Sequence, residues 1–298
     1  MKKLIGFVAL LVVLVLSACS GPAAGRPAYA PEPRAAQQAG LALAVPDVVL
    51  FAVSGRCGVP CDGAPDDNYD YLSERGTAEA VAQAFRDLGR SVLVLTYSSH
   101  LYNHYSSISG AYEYGFLQLE ADFDWVRRNW PASRRVLLGH SHGTNWTHNL
   151  LRAHPGWTVD YLIDLDGICA LWEGDNQPYF DDFYSRYGNP WPVDLSQSCD
   201  VEPIEKYWWW TSYYSAKDVA YPGATYNLEV QSARFLASDV QPEGNTSLVF
   251  DYTDNIRLDA GYWNVWTYVA DEDHNGITYP GSSALDWVTA RIAALGLP

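Results

Sequence analysis

Residues 136–143 read Val-Leu-Leu-Gly-His-Ser-His-Gly and match the pattern Gly-x-Ser-x-Gly between Gly139 and Gly143. The pattern follows an apolar run typical of a buried strand and precedes a stretch predicted as a helix. A serine in such a sharp strand-to-helix turn lies at the edge of a sheet, near the positive end of the helix dipole, where an oxyanion is stabilised. Ser141 is therefore our candidate nucleophile, and the alternative is a tight turn with an incidental serine.

Short apolar runs alternate with amphipathic stretches on both sides of this motif, which predicts a largely parallel sheet covered by helices. Predicted strands lie at 48–53, 91–97, 135–139, 159–165, 247–252 and 265–269. Predicted helices lie at 76–88, 114–130, 144–153, 227–237 and 284–295. An aromatic-rich stretch at about 167–224 interrupts the alternation and is predicted to be an insertion.

The element order, the Gly-x-Ser-x-Gly turn and a late histidine together resemble the α/β-hydrolase superfamily, in its lipase and esterase-like branch. The resemblance covers about residues 46–298. It implies an α/β-hydrolase fold, with a mostly parallel central sheet, helices on both faces and the aromatic-rich insertion as a cap over the active site. It also implies that nucleophile, acid and histidine follow in that order along the chain.

His274 matches the general base that this resemblance implies, because it follows the last predicted strand and precedes the last helix. A solvated loop histidine is the alternative. For the acid, the resemblance favours Asp254, which comes directly after the predicted strand at 247–252. Asp239 is the second choice, and Asp166, at the end of the strand at 159–165, leads the remaining candidates.

The resemblance also places two backbone N–H groups around the oxyanion of the reaction. One belongs to the residue after the serine, here His142, and the other to the loop after the first predicted strand, where we choose Gly55. This loop lacks the glycine run His-Gly-Gly-Gly found in many esterases of the superfamily.

The N-terminus has the pattern of a signal peptide: two lysines, an apolar run, and then Leu-Ser-Ala-Cys at residues 16–19. This ending resembles the lipobox of bacterial lipoproteins, which implies cleavage before Cys19 and lipidation of that cysteine. An ordinary secretory signal is the alternative. The predicted organisation is a signal peptide at 1–18, a lipidated Cys19 with an Ala/Pro/Gly-rich spacer at 19–45 that holds the domain off the membrane, and the hydrolase domain at 46–298.

Four further cysteines remain, and an even number outside the cytoplasm favours two disulfides. Proximity in the sequence favours Cys57 with Cys61 and Cys169 with Cys199, although four cysteines allow three pairings. A zinc site is a weaker alternative, because only one closely spaced pair is present. We expect no metal and no organic cofactor.

The formal net charge of −16 would repel a nucleic-acid backbone, so we expect no nucleic-acid partner. The predicted function is a membrane-anchored, extracytoplasmic serine hydrolase that cleaves a small-molecule or lipid ester with a Ser-His-Asp triad. A peptidase or amidase with the same triad is one alternative. A non-catalytic surface binding protein on the same scaffold is another.

Overall fold

The computed structural model of the chain describes residues 27–41, 44–56, 67–207, 210–234, 253–259 and 261–298. Its centre is a parallel sheet of six strands in the order β12-β10-β6-β5-β1-β2. The described strands are β1 (Val48–Val53), β2 (Val92–Tyr97), β3 (His104–Ser106), β4 (Ala111–Glu113), β5 (Arg134–His140), β6 (Val159–Leu165), β7 (Glu202–Tyr207), β8 (Trp210–Tyr214), β9 (Val219–Ala220), β10 (Ala224–Arg234), β11 (Ile256–Arg257) and β12 (Val265–Asp273).

Helices cover both faces of this sheet, as predicted. The described helices are α1 (Arg34–Leu41), α2 (Tyr71–Glu74), α3 (Thr77–Asp87), α4 (Phe116–Asn129), α5 (His142–Ala153), α6 (Trp172–Tyr187) and α7 (Ser283–Leu295). One apolar core joins the sheet to α1, α4, α5 and α6, and a second core joins the sheet to α2, α3 and α7. Side chains of β1 alternate between the two cores, as expected for a strand that is buried on both faces.

Most of the predicted elements inside the described ranges are confirmed, with shifts only at their ends. The confirmed strands are those predicted at 48–53, 91–97, 135–139, 159–165 and 265–269. The confirmed helices are those predicted at 76–88, 114–130, 144–153 and 284–295. These elements have strong apolar periodicity, which is the most reliable signal of secondary structure in a sequence.

The helix predicted at 227–237 is wrong, because β10 occupies this part of the chain and lies between β6 and β12. Leu228 and Val230 are buried in one core, and they alternate with Asn227 and Glu229, which are buried as well. The strand therefore carries polar side chains on a buried face, which obscures the contrast between apolar and polar positions that a strand is expected to show.

The insertion predicted at 167–224 lies between β6 and β10 and contains α6, the β7–β8 hairpin and β9. The predicted disulfide between Cys169 and Cys199 is confirmed, and it joins the start of the insertion to the loop before β7. Several of its aromatic side chains are buried: Trp172, Phe180, Phe183 and Trp191. These residues belong to the core that the insertion shares with the sheet, α4 and α5, so they join the insertion to the rest of the domain.

Residues 27–41 pack against the domain, whereas the sequence predicted that all of 19–45 is a spacer between the membrane and the domain. The Asp122 carboxylate of α4 lies 3.3 Å from the Arg34 guanidinium of α1. The Tyr29 ring packs against aromatic rings of the insertion. A few anchoring side chains in an Ala- and Pro-rich background give no periodic signal, so this attachment was missed.

No helix in the described ranges is both long enough and apolar enough to span a bilayer. Several predictions fall outside the described residues: the signal peptide at 1–18, Cys19, Cys57, Cys61, Asp239 and the strand at 247–252.

Candidate active site

Ser141 lies in a sharp turn between β5 and α5. Its φ of 57° and ψ of −127° are rarely adopted by a residue other than glycine. Its backbone N–H donates to the Leu165 carbonyl at 3.1 Å, which ties the turn to the end of β6. Gly143 approaches β1 so closely that a Cβ atom would overlap the Val53 carbonyl oxygen. The sequence motif therefore forms a strained turn that holds Ser141 at the carboxyl edge of the sheet.

His274 directly follows β12 and Asp166 directly follows β6, so both residues lie at the same edge of the sheet as Ser141. The distance from His274 Nδ1 to Asp166 Oδ2 is 2.6 Å. The Asp166 carboxylate also accepts hydrogen bonds from the backbone N–H and the hydroxyl of Ser232, at 2.9 and 2.5 Å. Because Nδ1 of His274 donates to this carboxylate, Nε2 is left as a proton acceptor.

The structure corrects the choice of Asp254 as the partner of His274. Asp254 is exposed, and its carboxylate accepts a hydrogen bond from Gln231 Nε2 at 3.2 Å. Asp166 is 4% exposed and occupies the position beside His274. The error follows from the helix predicted in place of β10, since that choice assigned the acid to a later strand. The alternative Asp239 lies outside the described residues.

His140, on the amino side of Ser141, belongs to a chain of hydrogen bonds that we call the core-side network: Gly55, Tyr71, His140 and the His274 carbonyl. The Tyr71 hydroxyl accepts from the Gly55 N–H at 2.7 Å and lies 2.5 Å from His140 Nδ1. His140 Nε2 lies 2.9 Å from the His274 carbonyl oxygen. Burial holds the pKa of His140 well below its ordinary value, so the ring is neutral.

His142, on the other side of Ser141, belongs to an insertion-side network formed by His142, the Ala170 carbonyl, Asp175 and Arg56. His142 Nε2 donates to the Ala170 carbonyl at 2.7 Å. Asp175 of α6 forms an ion pair with Arg56 and lies 3.9 Å from His142 Nδ1. Burial lowers the pKa of His142 to about 4, so this ring is also neutral at pH 7.

The two predicted oxyanion donors differ in their surroundings. His142 is the first residue of α5, and a backbone N–H in the first turn of a helix has no acceptor within that helix. The Gly55 N–H, in contrast, donates to the Tyr71 hydroxyl. Gly55 lies against the turn, since a Cβ atom there would overlap Ser141, but its N–H is already engaged. The prediction that Gly55 donates to the oxyanion is therefore corrected.

A small cavity of about 20 Å³ lies behind Asp166 and has a polar lining. Residues from five segments line it, among them Thr144, Asp166, Lys217, Glu229 and Asn255. Burial raises the pKa of Glu229 to about 7. A cavity of this volume can hold one water molecule. Among the residues that the structure describes, no group of three or more His, Cys, Asp and Glu side chains is arranged to hold a metal ion.

No protein family model and no curated protein matches the chain. Solved structures do. Est1E from Butyrivibrio proteoclasticus matches with 15% identity over 83% of this chain and 86% of its own, at a TM-score of 0.40. Est1E with bound ferulic acid gives 14% identity over 83% and 87% of the two chains, at a TM-score of 0.42. An extracellular α/β-hydrolase from a Paenibacillus species gives 12% identity over 83% and 98%, at a TM-score of 0.37.

The strand order, the serine turn after β5 and the histidine after the last strand are the features that decide the architecture. The chain has an α/β-hydrolase fold. This confirms the fold class predicted from the sequence. In the α/β-hydrolase fold, ligands and reacting groups gather at the carboxyl ends of the parallel strands, where Ser141, Asp166 and His274 lie.

Sequence reasoning placed Asp166 behind Asp254 and Asp239, although Asp166 directly follows the strand that pairs with the serine strand β5. It missed several other residues around this site. Ser232 would have been recognised as a partner if β10 had been predicted as a strand. Tyr71 and Asp175 gave no signal, because their contacts join segments that lie far apart in the chain.

Proposed function

We propose that this chain is a serine hydrolase that cleaves carboxylic esters, with Ser141, His274 and Asp166 as its catalytic residues. The hydrogen bond of 2.6 Å between His274 Nδ1 and Asp166 carries the proposal, because it orients an imidazole at the sheet edge where Ser141 lies in its strained turn. A merely structural histidine needs neither a buried carboxylate partner nor this location.

In the proposed reaction, Ser141 Oγ attacks the ester carbonyl carbon while its proton moves to His274 Nε2. The tetrahedral intermediate collapses, the alcohol leaves with the proton from His274, and an acyl-enzyme remains. A water molecule then gives its proton to His274 and attacks the acyl carbonyl, which releases the acid and restores the Ser141 hydroxyl. Asp166 keeps His274 in the required tautomer and stabilises the imidazolium.

Backbone N–H groups stabilise the oxyanion of this reaction. The His142 N–H, at the start of α5, is the first donor. Because the Gly55 N–H is engaged by Tyr71, we assign the second donor to the next residue of the loop, Arg56. The ion pair between Arg56 and Asp175 supports this assignment, since it fixes the loop against the insertion.

The location of the proposed enzyme is extracytoplasmic, on a bacterial membrane, through a lipid on Cys19. The signal-like N-terminus and the disulfide between Cys169 and Cys199 support this location. Cys19→Ser should move the folded protein from the membrane to the soluble fraction, and retention on the membrane would contradict the lipid anchor.

A substrate panel tests the proposed activity. Matched esters and amides with the same acyl groups are offered to the wild type, to Ser141→Ala and to Ser185→Ala, which removes an exposed serine hydroxyl. We expect ester turnover by the wild type and by Ser185→Ala, and nearly none by Ser141→Ala. Full activity of Ser141→Ala would refute the proposal, and turnover of amides alone would replace the esterase with an amidase.

A further inference from the structure

The core-side network joins three segments that the proposed reaction needs in fixed relative positions. Gly55 belongs to the loop of the oxyanion donors, His140 directly precedes Ser141, and His274 is the proposed base. Tyr71 and His140 connect them through contacts of 2.7, 2.5 and 2.9 Å. Neither Tyr71 nor His140 belongs to the proposed triad.

Donor and acceptor roles along the network have one consistent assignment. Burial raises the pKa of Tyr71 and lowers that of His140, so a neutral phenol faces a neutral imidazole. The Gly55 N–H donates to the Tyr71 oxygen, and the Tyr71 O–H donates to His140 Nδ1. Nε2 of His140 then carries the proton and donates to the His274 carbonyl.

Tyr71 is itself held firmly, which a positioning role requires. The Arg75 guanidinium lies 4.4 Å from the centre of its ring. The Ser54 hydroxyl donates to Asp70 at 3.1 Å and accepts from the Leu72 N–H at 3.0 Å, so α2 is joined to the end of β1 on both sides of Tyr71. The Tyr71 hydroxyl therefore occupies a fixed point beside the serine turn.

We propose that Tyr71 and His140 are positioning residues, which fix the His274 backbone and the oxyanion loop relative to Ser141. This inference rests on the proposed function. The Asp166 carboxylate orients the His274 ring, and the core-side network holds the main chain that carries the ring. The two contacts act on different parts of the same residue, so loss of one leaves the other intact.

Tyr71→Phe tests the proposal, with Tyr69→Phe as the matched control. Both variants lose one phenolic hydroxyl from neighbouring tyrosines whose rings lie 5.7 Å apart, but only Tyr71 contacts His140. Tyr71→Phe should lower kcat by about tenfold to a hundredfold, with KM changed by less than about twofold, because small displacements of reacting groups reduce rates steeply. Tyr69→Phe should keep the wild-type kcat.

Variants of His140 separate positioning from general stability. His140→Gln keeps a donor for the His274 carbonyl and should retain most of the activity. His140→Leu loses both hydrogen bonds, so its kcat should fall at least as far as that of Tyr71→Phe. The double variant of Tyr71→Phe with His140→Leu should lose little more than His140→Leu alone, because both interrupt one network. Urea unfolding of each variant checks that its fold persists.

Three results would overturn the inference: a wild-type kcat in Tyr71→Phe, an equal loss in Tyr69→Phe, or equal activities of His140→Gln and His140→Leu. If Tyr71→Phe does not fold, the activities of His140→Gln and His140→Leu still test the positioning role. Ser141→Ala separates this inference from the proposed function. Ester turnover that survives in Ser141→Ala refutes the proposed hydrolase. If Ser141→Ala loses its turnover but Tyr71→Phe keeps the wild-type kcat, only the positioning role is refuted.

Discussion

His140 and His142 flank Ser141 in the sequence, but their side chains contact opposite parts of the molecule. Both rings are almost completely buried, and burial lowers the pKa of both. His140 contacts Tyr71 and the His274 carbonyl, which belong to the core of the fold. His142 contacts the Ala170 carbonyl at the start of the insertion.

The difference shows how one turn serves two purposes. The core-side network holds the groups that we propose for the chemistry, while the insertion-side network joins the turn to the inserted segment through Asp175 and Arg56. We therefore expect changes on the core side to lower kcat. Replacing the His142 side chain or the insertion disulfide should alter stability and leave kcat largely intact, because neither change removes a proposed oxyanion donor or a residue of the proposed triad.

The largest effect should come from Asp166→Asn. An asparagine cannot hold His274 in the tautomer in which Nε2 accepts a proton, so kcat should fall by about ten-thousand-fold with little change in KM. Asp254→Asn is the matched control and should behave like the wild type. Steady-state kinetics on one ester measures both variants. If Asp254→Asn is inactive and Asp166→Asn is active, the pairing of His274 with Asp166 has no catalytic role.

Removal of the insertion disulfide should have a smaller effect of a different kind. Replacing Cys169 and Cys199 together by alanine should lower the free energy of unfolding by about 3 kcal/mol, because the unfolded chain gains freedom. The kcat of the folded variant should stay within a few-fold of the wild type. Urea unfolding and turnover are measured on the same sample. If kcat fell as far as expected for Asp166→Asn, the insertion would be required for the catalytic step itself.

The smallest effect concerns how the free energy of unfolding depends on pH through His142. Its folded-state pKa of about 4 lies below its ordinary value of 6.5, so between these values the unfolded chain binds a proton that the folded chain does not. Stability is therefore lost as the pH falls from 6.5 towards 4. Between pH 7 and pH 5 this contribution should amount to about 2 kcal/mol.

His142→Gln isolates that contribution, since glutamine can still donate to the Ala170 carbonyl. Urea unfolding at pH 7 and pH 5 should show the wild type losing about 2 kcal/mol more than the variant. Other groups contribute equally to both proteins, including Glu229, whose raised pKa acts in the opposite direction, and cancel in the difference. Equal losses in the two proteins would mean that His142 binds its proton over the same pH range in the folded and unfolded states, which would contradict the lowered pKa.

The sequence predicted those parts of the fold in which the burial pattern is simple. The strand β6 is buried and rich in apolar residues, and its predicted bounds match the structure. Its neighbour β10 is buried too, but it carries Asn227 and Glu229 on one face, and it was predicted as a helix. Because β10 was predicted as a helix, the acid was assigned to a later strand and Asp254 was chosen in place of Asp166.

The strand-to-helix turn at Ser141 was predictable because one short motif specifies it. Ser141 follows from a turn that local sequence specifies, and His274 from its place after the last strand. Tyr71 and Asp175 could not be predicted, because their contacts depend on how distant segments pack in space. The attachment of residues 27–41 was missed for the same reason.

Mapping of the covalently labelled residue tests the proposed nucleophile. The wild type is labelled with a fluorophosphonate, which reacts with activated serines, and is then digested with trypsin. Cleavage after Arg135 and Arg152 releases the peptide 136–152, in which Ser141 is the only serine. Mass spectrometry with fragmentation then locates the adduct, and Asp166→Asn labelled in parallel reports whether the pair with His274 activates the serine.

The account predicts a single stoichiometric adduct on Ser141 in the wild type and much slower labelling of Asp166→Asn. An adduct on another residue, or ester turnover that persists while Ser141 stays unlabelled, would contradict it.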